Sequence, residues 1–322
     1  MSVVRPKIYA ALDLGTHNCR LSIAKAYEEK RRFKVIERFS RHVLLGRGLT
    51  ASGYLSDQAM ERAIVALALC QRKIAKYNIA KQRYVATQAC RLAVNRDFFI
   101  AQVYEKTGIT LEIIDNQTEA SLAAFACASL IKRTAQPAIV FDIGGGSSQI
   151  SLVDNRLKPE FIVDWLSLSF GVVNLAEKFS LIDSIEQKFL LMQQEVRLAL
   201  KNIVKNRPLA ALNEPYYLLG MSGTATTLAG LHLGLEKYDK AKIDGLRLKR
   251  SRVEQLITEI LNRSNQETRL SLYSGRQRAE LLLAGCAILS CIIEFWPSET
   301  VVVADRGVRD GILAQFITGQ DS

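Results

Sequence analysis

Two aspartates, Asp13 and Asp142, each close an apolar run and are each followed two positions later by glycine. Residues 8–24 read IYAALDLGTHNCRLSIA and residues 138–153 read AIVFDIGGGSSQISLV. Aligned on the acids, Gly15 falls on Gly144, Leu21 on Ile150 and Ile23 on Leu152, so a strand, a turn and a second strand are duplicated. An aspartate in this place offers hard oxygen to a divalent cation, which bridges phosphate oxygens. The glycine lets the backbone turn so tightly that successive N–H groups converge on an anion. Aspartate and glycine are also what any hairpin turn favours. A third small-residue loop weighs against that plainer reading: PYYLLGMSGTATTLAGL is an apolar strand, a turn with Gly220, Ser222, Gly223 and Thr224, and a helix. A strand running through glycine into a helix N-terminus presents amides and a favourable dipole to an anion. An ordinary strand-to-helix link is the alternative for this loop taken alone.

The elements that must position these loops can be read from periodicity. The first hairpin is followed by a strand within FKVIERFSRHVLL, and Ser56 is placed to cap a helix from Asp57 to about Tyr77. Residues 83–86 read as a strand into ATQACRLAVN, followed by a helix that ends before Gly108. Residues 111–114 form a short strand, and Thr118 is the expected cap of a helix through Ile131. Beyond the second hairpin come a strand at 165–170, a helix from Val172, an amphipathic helix from Ile185 to about Val204, the third loop, and a final strand TVVVAD leading to a closing helix. Two hairpins imply two facing lobes, and 322 residues suffice for two domains.

Composition excludes several classes. With 48% hydrophobic and 23% charged residues the chain is that of a soluble globular protein. The N-terminal MSVVRPK runs directly into the first strand, so no signal peptide is expected. The most apolar stretch, residues 281–293, is too short to span a bilayer and reads as a buried helix. Six cysteines, at 19, 70, 90, 127, 286 and 291, show no metal spacing and read as reduced core residues of a cytoplasmic protein. The net charge of +11 favours a polyanion as partner. Its densest segment, residues 237–252, reads first as a solvated helix face and loop. No nucleic-acid module and no aromatic platform is visible, so neither nucleic acid nor membrane is an expected partner.

Taken in order, DLGTHNCRL (13–21), VATQACRLAVN (85–95), GITLEIIDNQTEASL (108–122), DIGGGSSQ (142–149), GMSGTATTLAG (220–230), RAELLLAGCAIL (278–289) and VADRGVRDGIL (303–313) resemble the exopolyphosphatase and guanosine pentaphosphate phosphohydrolase family, over nearly the whole chain. The resemblance implies an α/β fold of two actin-like (ribonuclease H-like) lobes with an interlobe cleft. The expected lobes are residues 1–127, closed by the C-terminal helix at 305–322, and residues 128–304. The chain resembles the family's short members; its only histidines are His17, His42 and His232, too few for the appended phosphohydrolase domain of longer ones.

For the site, the resemblance implies Glu119 as the base for a water, with Arg20 and Arg91 as cationic partners of phosphate. An acid in the first turn of a helix is otherwise explained by the dipole, and an arginine by a surface ion pair. Asp13, Asp142 and Gln149 are the implied ligands of Mg2+ or Mn2+. Phosphate oxygens are expected at Gly15, Thr16 and Asn18, at Gly144, Gly145, Gly146, Ser147 and Ser148, and at Ser222, Gly223 and Thr224. The chain departs from the family pattern at Gln149 for Glu, His17 for Asn, Leu44 for Arg and Leu92 for Glu. The implied activity is metal-dependent, processive removal of terminal phosphate from inorganic polyphosphate. Hydrolysis of guanosine pentaphosphate to tetraphosphate is the alternative within the family, a weakly active or non-catalytic polyphosphate or alarmone sensor the alternative from another class, and a homodimer the expected assembly.

Overall fold

The computed structural model describes residues 6–27, 32–131, 136–156, 162–205, 207–210, 212, 214–264 and 271–319. Residues 1–5 and residues 320–322, the end of the expected closing helix, lie outside the described residues. The chain divides into two α/β units, Met1–Ala126 with Gly307–Ser322, and Cys127–Arg306.

The first unit is built on a five-stranded sheet. Its strands are β1 (Lys7–Leu14), β2 (Asn18–Tyr27), β3 (Arg32–His42), β4 (Ile79–Ala86) and β5 (Glu112–Ile113), in the order β3-β2-β1-β4-β5. β1 is antiparallel to β2 and parallel to β4, which is parallel to β5. Tyr9, Ala10, Ala11 and Leu12 are wholly buried, because helices cover both faces of the central strand, and an unbroken apolar run follows. On one face, α2 (Asp57–Ile74) and α4 (Arg96–Thr107) pack on Ala10, Leu12, Leu21 and Ile23. On the other, α12 (Val308–Thr318) lays Ile312, Leu313 and Phe316 over Tyr9, Ala11 and Ala24. Gly311 lets α12 also press against the helix that carries Leu122: a Cβ there would meet Leu122 O at 2.0 Å. α2 starts where Ser56 accepts from Ala59 N, at 3.4 Å, and α4 ends at Gly108 with φ 69°.

The second unit has six strands: β6 (Ala138–Ile143), β7 (Ser148–Val153), β8 (Ile162–Leu168), β9 (Tyr217–Ser222), β10 (Arg247–Lys249) and β11 (Thr300–Val303), ordered β10-β11-β9-β6-β7-β8. β9 is parallel to both its neighbours, β6 and β11. The helices α7 (Ile185–Val204), α8 (Gly223–His232), α10 (Arg250–Ser264) and α11 (Ser271–Phe295) supply much of the core around Phe141, Ile150, Met192, Leu228, Leu256 and Ile288. The apolar stretch at 281–293 lies within α11 and is buried or half-buried there. No helix among the described residues is long and apolar enough to cross a membrane.

The basic stretch at 237–252 folds as a loop, α9 (Lys240–Ile243), β10 and the start of α10. Much of its charge is met nearby. Lys240 pairs with Asp305 at 3.3 Å, Arg250 with Glu254 at 2.7 Å and Arg252 with Glu259 at 2.9 Å, while Arg247 lies over the Tyr217 ring at 5.6 Å. The six cysteines form no disulfide and are all buried.

Candidate active site

In both units the candidate groups leave the sheet where neighbouring parallel strands end together. In the first, Leu14 pairs with Ala86 and Ala86 with Ile113, so the Asp13 turn, Thr87 and the start of α5 (Asn116–Ile131) emerge side by side. In the second, Ile143 pairs with Ser222, which puts the Gly144 turn beside the start of α8. Carboxyl ends of adjacent strands are where open α/β sheets receive ligands.

The duplication seen in the sequence extends to individual hydrogen bonds. Gly15 N donates to Asn18 O at 2.8 Å, and at the matching place Gly144 N donates to Ser147 O at 2.9 Å. Asp13 is paired across its hairpin with Arg20, and Asp142 across its own with Gln149. In each turn the carbonyls are taken by a following segment. Val43 N and Leu44 N donate to His17 O, and Gly46 N to Thr16 O. In the second unit Val172 N donates to Gly144 O, Val173 N to Gly145 O, and Asn174 Nδ2 to Gly146 O. The N–H groups of Gly145, Gly146 and Ser147 have no acceptor among the described residues, the state expected of an anion cradle.

The glycines differ in what they do. A Cβ on Gly144 would sit 2.8 Å from Ser147 O, and one on Gly171 2.2 Å from Gly144 O, so the second turn is closed by backbone contact that only glycine permits. At Gly15 a Cβ meets nothing nearer than 3.5 Å, and it would point among Asn18 O, Asp13 Oδ1 and Thr87 Oγ1. There glycine keeps space open beside the carboxylate. Thr16 Oγ1 is buried with no hydrogen-bond partner among the described residues. Leu44, next to this turn, holds a left-handed backbone at φ 51°, which costs a non-glycine residue about 1 kcal/mol or more.

Glu119 lies in the first turn of α5, whose cap is Asp115 rather than the expected Thr118: Thr118 N donates to Asp115 Oδ1 at 2.7 Å. Its side chain is almost wholly buried, 8% exposed. Arg91, on α3 (Gln88–Leu92), donates to Glu119 Oε2 at 2.8 Å, to Gln88 Oε1 at 2.8 Å and to Ile114 O at 2.7 Å. Burial pushes the Glu119 carboxyl up to about 7; Arg91 opposes the rise and the Asp13 charge adds to it. The Asp13 carboxyl is likewise raised by burial, against the pull of Arg20 and Arg309. Arg20 and Arg91 thus hold different places, one across the hairpin from Asp13 and the other on Glu119.

In the second unit Gln149 is 2% exposed, and its amide nitrogen donates to Ser147 Oγ at 3.0 Å and Ser167 Oγ at 3.4 Å. Ser148 donates its hydroxyl to Phe170 O at 3.0 Å. Ser222 caps α8 by accepting from Ala225 N at 3.0 Å, and Thr224 is buried against Gly285 of α11.

Among the described residues no three His, Cys, Asp or Glu side chains gather as a metal cage. The donors still fit a magnesium-type cation, which takes one or two carboxylates and fills its shell with water and phosphate oxygen. Asp13 and Asp142 can each supply one such carboxylate oxygen.

Sequence reasoning did not single out Thr87, Gln88, Asn174 or Arg309. Asn174 carried a signal, since it follows Gly171 by three and accepts from Gly171 N at 2.8 Å in the manner of a capping box. Gln88 stands three before Arg91, the spacing of neighbours on a helix.

The model of the Ppx/GppA phosphatase family matches residues 22–318. Exopolyphosphatase 2 of Mycobacterium tuberculosis is 26% identical, aligned over 94% of this chain and 96% of its own length. A bifunctional 3-dehydroquinate synthase/phosphatase of Fusobacterium nucleatum is 27% identical over 97% of this chain; the chain spans 46% of that relative. Among solved structures, the Aquifex aeolicus member of the Ppx/GppA family superposes with a TM-score of 0.79 at 25% identity, covering 98% of this chain and 99% of its own. An exopolyphosphatase from Cytophaga hutchinsonii has the same fold, with a TM-score of 0.84 at 22% identity over 97% of this chain and 98% of its own.

Proposed function

The chain belongs to the Ppx/GppA phosphatase family, and on that premise we propose that it is an exopolyphosphatase that removes terminal phosphate from inorganic polyphosphate with Glu119 as general base. The observation that carries this reading is the Glu119 carboxyl, buried, held by Arg91 at 2.8 Å and raised to about 7. A base so poised is half ionised near neutral pH and takes a proton readily. Water attacks the terminal phosphorus, its proton passes to Glu119, and the bridging P–O bond breaks toward the retained chain. The amides of Gly145, Gly146 and Ser147 and the α8 N-terminus at Gly223 and Thr224 receive phosphoryl oxygens, where charge is spread in the transition state. Asp13 in the first unit, and Asp142 with Gln149 beside it in the second, are each suited to Mg2+ or Mn2+, which would neutralise phosphate charge when bound. The positive net charge of +11 suits a long polyanion. The relative named exopolyphosphatase 2 supports the same substrate class.

The test is release of orthophosphate from long-chain polyphosphate with magnesium, comparing wild type with Glu119→Ala, and with guanosine pentaphosphate run in parallel. Release from polyphosphate lost in Glu119→Ala supports the reading. Turnover of guanosine pentaphosphate alone moves the assignment to that substrate. Unchanged polyphosphate after long incubation with wild type overturns it.

A further inference from the structure

Beside Asp13, on the α12 side of the first unit's sheet, three guanidinium groups come together. Register places Arg20 across from Asp13 on one side and from Ser40 on the other, and Arg38 directly across from Ser22. Residues alternate between the faces of a strand. Arg20, Ser22, Arg38 and Ser40 therefore share the face on which Ala24 and Val35 pack against α12. From α12, Arg309 reaches the same spot and donates to Ser22 Oγ at 3.0 Å and Leu21 O at 3.1 Å. The other donors of Arg309, and all those of Arg20 and Arg38, meet no acceptor among the described residues. Asp310, the other acid nearby, accepts from Gly307 N at 3.0 Å. Burial first, then the repulsion of Arg20 and Arg38, lowers the Arg309 pKa, with Asp310 and Asp13 opposing. Asp13 and Asp310 offset part of this charge, but the three guanidinium groups outnumber them, and the planar guanidinium fork matches phosphoryl oxygens.

We propose that Arg20, Arg38 and Arg309, with the Ser22 hydroxyl, form a subsite for a second phosphoryl group of the substrate chain, next to the group positioned at Asp13. The proposal rests on the reading of the chain as a phosphoanhydride hydrolase. It explains why a lone orthophosphate would be held less well than a chain, which engages the Asp13 turn and the arginines together.

The experiment is calorimetric titration of wild type, Arg38→Ala and Arg41→Ala with tripolyphosphate and with orthophosphate, alongside phosphate release from each variant. Arg38 and Arg41 are both exposed on β3, and both substitutions remove one positive charge. Arg41, however, pairs with Cys19 and so lies on the opposite, α2 side of the sheet. Arg38→Ala should weaken tripolyphosphate about 5- to 30-fold, the loss of one charge-assisted contact, with Arg41→Ala near wild type and orthophosphate little changed. Equal weakening by the two variants reduces the effect to net charge and overturns the subsite. An equal loss for orthophosphate and tripolyphosphate overturns the assignment to a chain and leaves a site for free phosphate. If wild type binds tripolyphosphate through Arg38 but releases no phosphate, the hydrolase reading fails and the subsite stands. If release is intact and Arg38→Ala binds as wild type, the reverse holds.

Discussion

Replacing Glu119 by glutamine should make the protein less sensitive to alkaline pH while abolishing hydrolysis. The Glu119 carboxyl is raised from the ordinary 4.5 to about 7, burial being the largest cause. Below 4.5 the folded and unfolded chains are both protonated there. Between 4.5 and about 7 the unfolded chain has released a proton that the folded chain keeps, so stability falls as pH rises. Above about 7 the loss is complete. At about 1.36 kcal/mol per pH unit this interval amounts to about 3 kcal/mol. Glutamine does not titrate, and the cost of leaving Arg91 without its carboxylate is constant with pH. The stability of Glu119→Gln relative to wild type should therefore climb by about 3 kcal/mol from pH 4.5 to 8, roughly 6–12 °C in the melting temperature of a unit of this size. Scanning calorimetry in EDTA is the suitable assay, because Trp165 and Trp296 both lie in the second unit and fluorescence would not report on the first. A difference between the two proteins that stays constant from pH 5 to 8.5 would refute the argument that burial dominates at Glu119.

Other consequences are open to simple tests. Arg91→Lys removes the fork that spans Glu119, Gln88 and Ile114 O while keeping the charge; kcat should fall by about 10- to 100-fold, and the alkaline-rising limb of kcat/KM should move slightly to higher pH because the guanidinium hydrogen bond that helps hold the Glu119 value down is lost. Gln149→Glu buries a second carboxylate across from Asp142, so in EDTA it should lose about 1–3 kcal/mol by thermal denaturation, and magnesium should restore stability in this variant more than in wild type. Gly171→Ala drives a methyl onto Gly144 O; a loss of about 1–3 kcal/mol together with weaker binding of tripolyphosphate is expected, and wild-type behaviour in both would show that α6 (Val172–Lys178) does not shape the turn.

Much of the molecule is legible in its sequence. The two hairpins fold in the register that their alignment requires, α7 spans Ile185–Val204 as its periodicity predicts, and Gly108 ends α4. The cap of α5 was misread, since Asp115 and Thr118 both suit a helix start and only the backbone geometry selects Asp115. The strand β10 within the basic stretch was also not foreseen: its three residues Arg247–Lys249 carry two cations and become a strand by pairing with β11, more than 50 positions away.

What the sequence by itself determined was the local part: turns closed between residues three apart, caps a few positions long, and strand faces that alternate with period two. Those depend on residue type and on neighbours along the chain. Only the tertiary structure decided that the turn carbonyls are occupied by later segments, that Glu119 is desolvated and gripped by Arg91 from 28 residues away, and that Arg309 reaches Ser22 across 287. Desolvation and like-charge clustering are set by which distant segments pack together, and the residue types along the chain do not carry that information.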